Sequence, residues 1–232
     1  MREIIFDTET TGLNPATGDR MVEIGCVEIF NRVETGKHFH AYFNPERDMP
    51  SEAEAVHGLS VMFLSDKPMF ADTVEDLLEF IGDSPLVAHN ASFDFGFLNH
   101  ELERCGRPFV CLTRMRDTLA MARTKHPGAK HSLDALCMRF GIDRSHRVKH
   151  GALLDAQLLA QVYVELTGGR QIGLGLVADK PAAVQAAATI AQAERQPLEP
   201  RRHFASVEEL ARHAGFIARL SGALWDRFAP AR

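Results

Sequence analysis

The sequence predicts an α/β fold: a mixed β-sheet flanked by helices, followed by a linker and a C-terminal amphipathic helix. Three observations support this prediction. Short β-rich runs follow one another closely near the amino terminus, helical and strand patterns alternate from about residue 71, and the periodic apolar pattern stops after residue 169. A group of strands followed by alternating helices and strands is typical of a mixed sheet with helices packed on it.

The first three strands are predicted at residues 2–7, 21–30 and 37–43, where β-branched and aromatic residues are frequent. Turn-forming residues at 12–19 and 31–36 separate these strands. Because parallel neighbours need long crossover connections, strands spaced this closely are expected to form an antiparallel meander.

The remainder of the domain is predicted to be mainly helical. Helices are expected at about 71–82, 91–105, 117–125, 132–140 and 152–167, with a short apolar strand at 85–89. Gly168 and Gly169 follow the last of these helices, and glycine commonly ends a helix.

The residues after 169, called the tail below, differ in composition from the preceding domain. Residues 177–205 predict a linker, because they are rich in alanine, glutamine and charged residues and contain three prolines. A helix is predicted from Ser206, which fits a capping box with Glu209. Its apolar residues recur at an approximately heptad spacing: Val207, Leu210, Ala214, Ile217 and Leu224. So short a segment cannot bury this stripe alone, so the helix packs either on its own domain or on a partner protein, and the preceding linker favours the partner.

Length and charge limit the possibilities only loosely. A chain of 232 residues suits one domain of about 150–200 residues with an extension. The net charge of −5, from 31 acidic and 26 basic residues, does not by itself indicate a nucleic-acid partner. That argument fails where acidic residues are gathered to hold divalent cations, because the metal changes the field that a phosphate experiences.

The four cysteines have no CxxC spacing and are expected to be reduced thiols of a cytoplasmic protein. The amino terminus enters a strand-like run directly, so no signal peptide is expected. No stretch approaches the roughly 18 apolar residues of a membrane span, and no membrane partner is expected.

Two carboxylates lie at the end of the first predicted strand. Asp7 and Glu9 are two residues apart, so they project to the same face, about 7 Å from each other. Such a pair repels unless a positive charge lies beside it, and a hard divalent cation is the usual partner. A pair of solvated acids is the alternative for this motif taken alone.

Two further motifs place an aspartate at a helix start. Asp94 follows the strand at 85–89 and lies in the first turn of the next helix, where the helix dipole alone would explain an acid. His150 precedes Asp155 by five residues, a spacing that puts the two about 140° apart if both are helical. If His150 instead lies in a loop, as Gly151 indicates, both side chains can converge on one cleft.

Taken together, these motifs resemble those of the DEDDh exonucleases of the ribonuclease H-like superfamily. The matching segments are DTET (7–10), NASFD (90–94) and HGALLD (150–155), and the similarity covers about residues 2–170. Within this family the chain resembles the proofreading subunits of bacterial replicative DNA polymerases. The resemblance implies a ribonuclease H-like mixed sheet of five strands and a 3′→5′ exonuclease activity that releases nucleoside 5′-monophosphates.

The resemblance also implies roles for individual residues. Two divalent cations, Mg²⁺ or Mn²⁺, are expected to bind Asp7, Glu9, Asp94 and Asp155. His150 is expected to act as the general base, a task that suits an imidazole at neutral pH. The positions expected to contact the terminal nucleotide or to support the site are Thr8, Thr10, Thr11, Gly12, Glu52, His57, His89 and Asn90.

Outside the catalytic domain, predicted at 1–169, residues 170–176 resemble a short motif that binds the bacterial sliding clamp. Its anchors are Gln171, Leu174 and Leu176, and weak binding is expected. The helix at 206–232 is expected to bind the catalytic (alpha) subunit of the polymerase, and DNA 3′ ends, single-stranded or frayed, are the expected substrate. Two alternatives stay open: a free-standing nuclease that trims RNA or short oligonucleotides, and a non-catalytic module that recruits a polymerase.

Overall fold

The computed structural model describes residues 1–147, 149–169 and 204–221, and its centre is a five-stranded sheet. The strands are β1 (Arg2–Thr10), β2 (Met21–Phe30), β3 (Val33–Tyr42), β4 (Leu86–Ala88) and β5 (Met115–Asp117), in the spatial order β3-β2-β1-β4-β5. β1 pairs with β2 and β2 with β3 in antiparallel fashion, whereas β4 runs parallel to both β1 and β5. The predicted meander and the five-stranded mixed sheet are confirmed.

The connection between β2 and β3 is tighter than predicted. Asn31 and Arg32 have φ values of 51° and 67°, so these two residues alone reverse the chain. Two-residue hairpin loops with positive φ at both positions match the twist of the flanking strands. β3 therefore begins at Val33, and the expectation of a break through residue 36 was wrong.

The helices described in the catalytic domain lie close to their predicted positions, except for the first two, which were not predicted. They are α1 (Ser51–His57), α2 (Val61–Leu64), α3 (Phe70–Ile81), α4 (Ala91–Arg104), α5 (Thr118–Lys125), α6 (Leu133–Phe140) and α7 (Ala152–Leu166). The predicted end of α7 is confirmed, since Gly168 and Gly169 have positive φ and the Gly169 N–H donates to the Val164 carbonyl at 2.8 Å.

Both faces of the sheet are covered. On one face, Ile4 and Phe6 of β1 pack against α3 and α4, and the Phe6 and Phe95 rings meet edge to face with centroids 5.6 Å apart. On the other face, Ile5 packs against Ala156 and Leu159 of α7. Since side chains alternate along a strand, the odd-numbered residues of β1 face α7. Asp7 and Glu9 therefore lie on the same side of the sheet as α7.

The chain divides into two units, residues 1–175 and 176–232. The second contains α8 (Val207–Ile217), whose predicted capping box is confirmed: Ser206 Oγ accepts from the Glu209 N–H, and Glu209 Oε2 accepts from the Ser206 N–H. The apolar side chains of α8 are largely exposed, Val207 by 84% and Phe216 by 59%. Leu224, most of the predicted linker and the clamp-like segment lie outside the described residues.

Among the described residues, no helix combines the length and the apolar character needed to cross a membrane.

Candidate active site

The five residues predicted to carry the chemistry lie on four adjoining pieces of chain. Asp7 and Glu9 are on β1, Asp94 is in the first turn of α4, Asp155 is in the first turn of α7, and His150 is in the loop before α7. One donor atom each from Glu9, His150 and Asp155 lie within 4.8 Å of one another. Asp7 interacts electrostatically with Glu9, Asp94 and Asp155. The structure thus brings all five residues to one place.

Gly25 allows α7 to approach the sheet at this place. It lies directly opposite Asp7 in the β1–β2 pairing. A Cβ atom at Gly25 would lie 2.3 Å from both the N and Cα atoms of Leu153, closer than real Cβ atoms come to backbone. The missing side chain lets the first turn of α7, and with it Asp155, pack beside Asp7.

Asp94 is held in place by a hydrogen bond from β1. It is 3% exposed, and the Thr8 hydroxyl donates to its Oδ1 atom at 2.8 Å. Asn90, just before α4, has a left-handed φ of 63°, and its N–H donates to Asp117 Oδ1 at 3.1 Å. A ring nitrogen of His89 lies 2.9 Å from the Thr118 hydroxyl. His89 and Asn90 therefore tie the turn before α4 to the start of α5, and a direct contact of either with substrate stays a prediction.

The acidic residues are in an environment that disfavours their charge. Burial, Asp94, Glu9 and Asp155 raise the pKa of Asp7 well above its ordinary value. Burial, with Glu23 and Asp155, raises the pKa of Glu9 to about 8, and burial raises that of Asp94 to about 7. Glu9 Oε1 is buried and has no hydrogen-bond partner among the described residues. Clustered, partly unpaired carboxylate oxygens of this kind are the ligands that hard divalent cations prefer, so the site fits a metal centre.

Sequence reasoning missed two residues of the acidic cluster. Glu23 lies opposite Glu9 in the β1–β2 pairing, is 3% exposed, and has one oxygen 2.7 Å from His40 Nε2. Arg147 donates to both oxygens of Asp155, at 2.5 and 2.7 Å. Glu23 was not recognised because it lies within a largely apolar strand pattern. The only signal for Arg147 was its position three residues before His150, in a segment without periodicity.

A cavity of about 500 Å³ adjoins the acidic cluster. Its lining includes six of the eight residues predicted to contact or support the substrate, namely Thr8, Thr10, Thr11, Gly12, Glu52 and His57, together with apolar groups from Leu13, Val56 and Phe93. Small-ligand sites commonly combine such apolar walls with a few polar groups. The His150 N–H donates to the Val56 carbonyl at 3.4 Å, which ties the loop that carries the predicted base to a wall of the cavity.

His57 is the most buried titratable group of this cavity, at 6% exposure. Its Nδ1 atom accepts from the Leu59 N–H at 3.0 Å, so in the neutral ring Nε2 carries the proton. Nε2 has no hydrogen-bond partner among the described residues, and burial lowers the pKa of the ring. His57 is therefore a neutral histidine whose Nε2 N–H donor lies in the wall of the cavity, beside the Thr10 backbone.

The raised pKa values predict how the stability of the metal-free protein depends on pH. Because the folded protein holds protons on Glu9 and Asp94 more tightly than the unfolded chain does, these groups stabilise the fold at low pH and lose that contribution as pH rises to about 8. We expect the melting temperature in chelator to fall less between pH 5 and pH 8 in Glu9→Gln than in the unsubstituted protein. An equal fall in melting temperature in the two proteins would show that ionisation of Glu9 does not destabilise the folded state.

Comparisons with known proteins agree with this geometry. A family model described as exonuclease (RNase_T) matches residues 4–163. Proteins named DNA polymerase III subunit epsilon are similar to the chain over most of its length. The protein of Rickettsia typhi is 59% identical over 184 residues, 78% of this chain and 80% of that protein. The protein of Rickettsia conorii is 51% identical over 223 residues (95% and 96%), and that of Escherichia coli 43% over 219 residues (91% and 90%).

Solved structures are similar as well. Exonuclease X, determined in complex with a 5′-overhanging DNA duplex, is 27% identical, with a TM-score of 0.54 over 71% of this chain and 90% of that one. The nuclease domain of 3′hExo, a DEDDh family member bound to rAMP, has a TM-score of 0.62 over 72% of this chain and 91% of that one. At 16% identity, the second likeness concerns the fold alone.

Proposed function

Since the chain belongs to the exonuclease family and, within it, to the DNA polymerase III epsilon subunits, we propose that Asp7, Glu9, Asp94, His150 and Asp155 form the active site of its proofreading activity. Membership of this family makes the chain a metal-dependent 3′→5′ exonuclease that binds DNA and acts with a DNA polymerase. The expected resemblance to DEDDh exonucleases is thereby confirmed.

One observation carries the assignment of the site: carboxylates from β1, α4 and α7 converge beside the imidazole of a loop histidine. Charges this close and this buried repel one another unless cations bind among them. We propose Asp7, Glu9, Asp94 and Asp155 as the ligands of two divalent cations, with Mg²⁺ or Mn²⁺ as the metals that suit an all-oxygen site. Cations held by these carboxylates would lower the pKa of a bound water molecule and offset the negative charge on the leaving oxygen.

The proposed reaction is hydrolysis of the last phosphodiester bond. Water adds to the phosphorus, and the bond between phosphorus and the 3′ oxygen of the penultimate nucleotide breaks. His150 accepts the proton of the attacking water at a ring nitrogen. Its side chain is 49% exposed, and its loop position leaves it free to approach the water without replacing a carboxylate. The released nucleotide keeps its phosphate on the 5′ oxygen.

The adjoining cavity is proposed to hold the terminal nucleotide. Leu13, Val56 and Phe93 offer apolar contact to a sugar and base, while Glu52 and the His57 N–H offer polar contact. None of these groups distinguishes one base from another by a set of directed hydrogen bonds. Preference for a mismatched end then comes from the lower cost of separating an unpaired 3′ nucleotide from the template.

The tail is proposed to tether the nuclease to its assembly. The exposed apolar side chains of α8 suit burial against a partner, for which we propose the catalytic (alpha) subunit of the polymerase. The segment with Gln171, Leu174 and Leu176 is proposed to bind the sliding clamp weakly. A tether of this kind raises the effective concentration of the nuclease at the primer end without adding DNA contacts.

Removing residues 206–232 is expected to abolish polymerase binding while leaving catalysis intact. Hydrolysis of short single-stranded DNA should stay within about twofold, because every proposed catalytic residue lies between 7 and 155. Co-purification with the polymerase catalytic subunit should be lost, as judged by gel filtration of the mixed proteins. A matched control replaces exposed polar residues of α8 on the side away from Leu210, such as Glu208→Gln. Retained co-purification of the shortened protein would refute the tether.

A further inference from the structure

Arg147 is a partly buried cation inside the acidic cluster. Its side chain is only 9% exposed, and its Nε and Nη2 atoms donate to Asp155 Oδ1 and Oδ2 at 2.5 and 2.7 Å. Both oxygens of a carboxylate that is itself 2% exposed are thus engaged by one guanidinium. Paired contacts of this geometry are among the stronger charge-assisted hydrogen bonds.

The same guanidinium reaches two other groups. Its Nη2 atom lies 2.9 Å from His150 Nδ1, and its Nη1 atom donates to Asp134 Oδ1 at 3.1 Å. Asp134 lies in the first turn of α6 and has a side chain that is 43% exposed, in contrast to Asp155. Arg147 therefore bridges the proposed base, a proposed metal ligand and a more exposed aspartate.

Its charge acts on the rest of the cluster as well. Arg147 lowers the pKa of Glu9 against the larger effects of burial and neighbouring acids, and Asp7 contributes to a raised pKa of Arg147. Among the described residues, the guanidinium thus supplies positive charge to the carboxylate cluster when no metal is bound. A divalent cation at Asp155 would be repelled by this guanidinium at short range, because the interior screens charges poorly.

We propose that Arg147 is an internal counter-ion that holds Asp155 and His150 in the metal-free protein and moves onto Asp134 when divalent cations bind. The inference rests on the proposed metal site and adds to it a competitor carried by the chain itself. Because one guanidinium holds both Asp155 and His150, loading of the metals and release of the general base become one event. Asp134 receives the displaced arginine because it already accepts one of its hydrogen bonds.

Calorimetric titration of the full chain with Mn²⁺, in the absence of DNA, tests this exchange. Removing the competitor in Arg147→Gln is expected to tighten Mn²⁺ binding about tenfold, the factor that corresponds to roughly 1.4 kcal/mol. Removing the alternative partner in Asp134→Asn is expected to weaken binding about threefold, since Asp155 is then the only carboxylate that pairs with Arg147 among the described residues. The double variant should bind as tightly as Arg147→Gln, because Asp134 matters only through Arg147.

Arg144→Gln is the matched control, because Arg144 also pairs with Asp134, at 2.9 Å, and has no described contact with Asp155. Its Mn²⁺ affinity should change less than twofold. In chelator, Arg147→Gln should melt at a lower temperature than the unsubstituted protein, and saturating Mn²⁺ should remove most of that difference. A purely structural arginine would lower the melting temperature equally with and without metal and leave affinity unchanged.

Unchanged or weaker Mn²⁺ binding by Arg147→Gln, with the unsubstituted protein binding normally, would overturn the exchange and leave the proposed function standing. Failure of the unsubstituted protein to bind Mn²⁺ at all would overturn both.

Discussion

Replacing Asp7 by asparagine is expected to lower the rate of 3′-end hydrolysis by about a thousandfold or more while raising the melting temperature of the metal-free protein. The loss follows from the proposed role of Asp7 as a ligand, since a factor of this size corresponds to about 4 kcal/mol of transition-state stabilisation. The gain follows from electrostatics, because burial and four neighbouring carboxylates raise the pKa of Asp7 and make its charge costly in the fold.

The two effects have opposite signs, which separates them from simple misfolding. Initial rates on a single-stranded DNA oligonucleotide in Mg²⁺ give the first effect, and thermal melting in chelator at pH 8 gives the second, expected at roughly 3 °C. Asp83→Asn, an exposed aspartate after α3, is the control and should change neither quantity. A variant that retains more than a tenth of the activity would remove Asp7 from the proposed metal site.

Gly25→Ala is expected to be the most damaging single-atom addition in the domain. The new Cβ would lie 2.3 Å from backbone atoms of Leu153, and backbone cannot turn aside as a side chain can. We expect a loss of about 3 kcal/mol in the free energy of unfolding, toward the upper end for an overpacked core, and a melting temperature lowered by about 10 °C. Activity per folded molecule should fall as well, because α7 can yield only by carrying Asp155 away from Asp7.

Gly96→Ala provides the matched control for this substitution. Gly96 is exposed on α4, and a Cβ there would meet no atom within 4 Å. Alanine at an exposed helical position is expected to stabilise the protein by up to about 1 kcal/mol. If denaturant unfolding gave the same free energy for Gly25→Ala as for the unsubstituted protein, the close approach of α7 to β2 would not determine the site.

Much of this fold could be predicted because its signals are local. The meander follows from strands too close in sequence to be parallel, and α7 follows from its apolar pattern and the two glycines after it. β5 carries no such signal, since three residues, Met115–Asp117, are too few for an alternating pattern. The early start of β3 depends on positive φ values at Asn31 and Arg32. Neither residue type by itself predicts such a value.

The site, like the fold, has features that could be predicted from the sequence and features that could not. Asp7, Glu9, Asp94, His150 and Asp155 sit in segments whose spacing and setting point to chemistry. Contacts between residues far apart in the sequence could not be predicted, because they form only when the chain is folded. The Thr8 hydroxyl meets Asp94 across 86 residues, and Glu23 reaches Glu9 only through strand pairing. Of the predicted substrate contacts, His89 and Asn90 have their described hydrogen bonds within the scaffold instead.

The most direct test of the central claim is a time course of primer shortening by the purified chain in Mg²⁺. A 5′-labelled primer is annealed to a template with its 3′ end either paired or mismatched, and an all-RNA oligonucleotide and the Asp7→Ala, Glu9→Ala double variant run beside it. We expect a ladder that shortens from the 3′ end, faster for the mismatch, slower for RNA and absent in the double variant. A ladder of equal rate in the double variant, or the absence of shortening by metal-loaded, folded protein, would contradict the central claim.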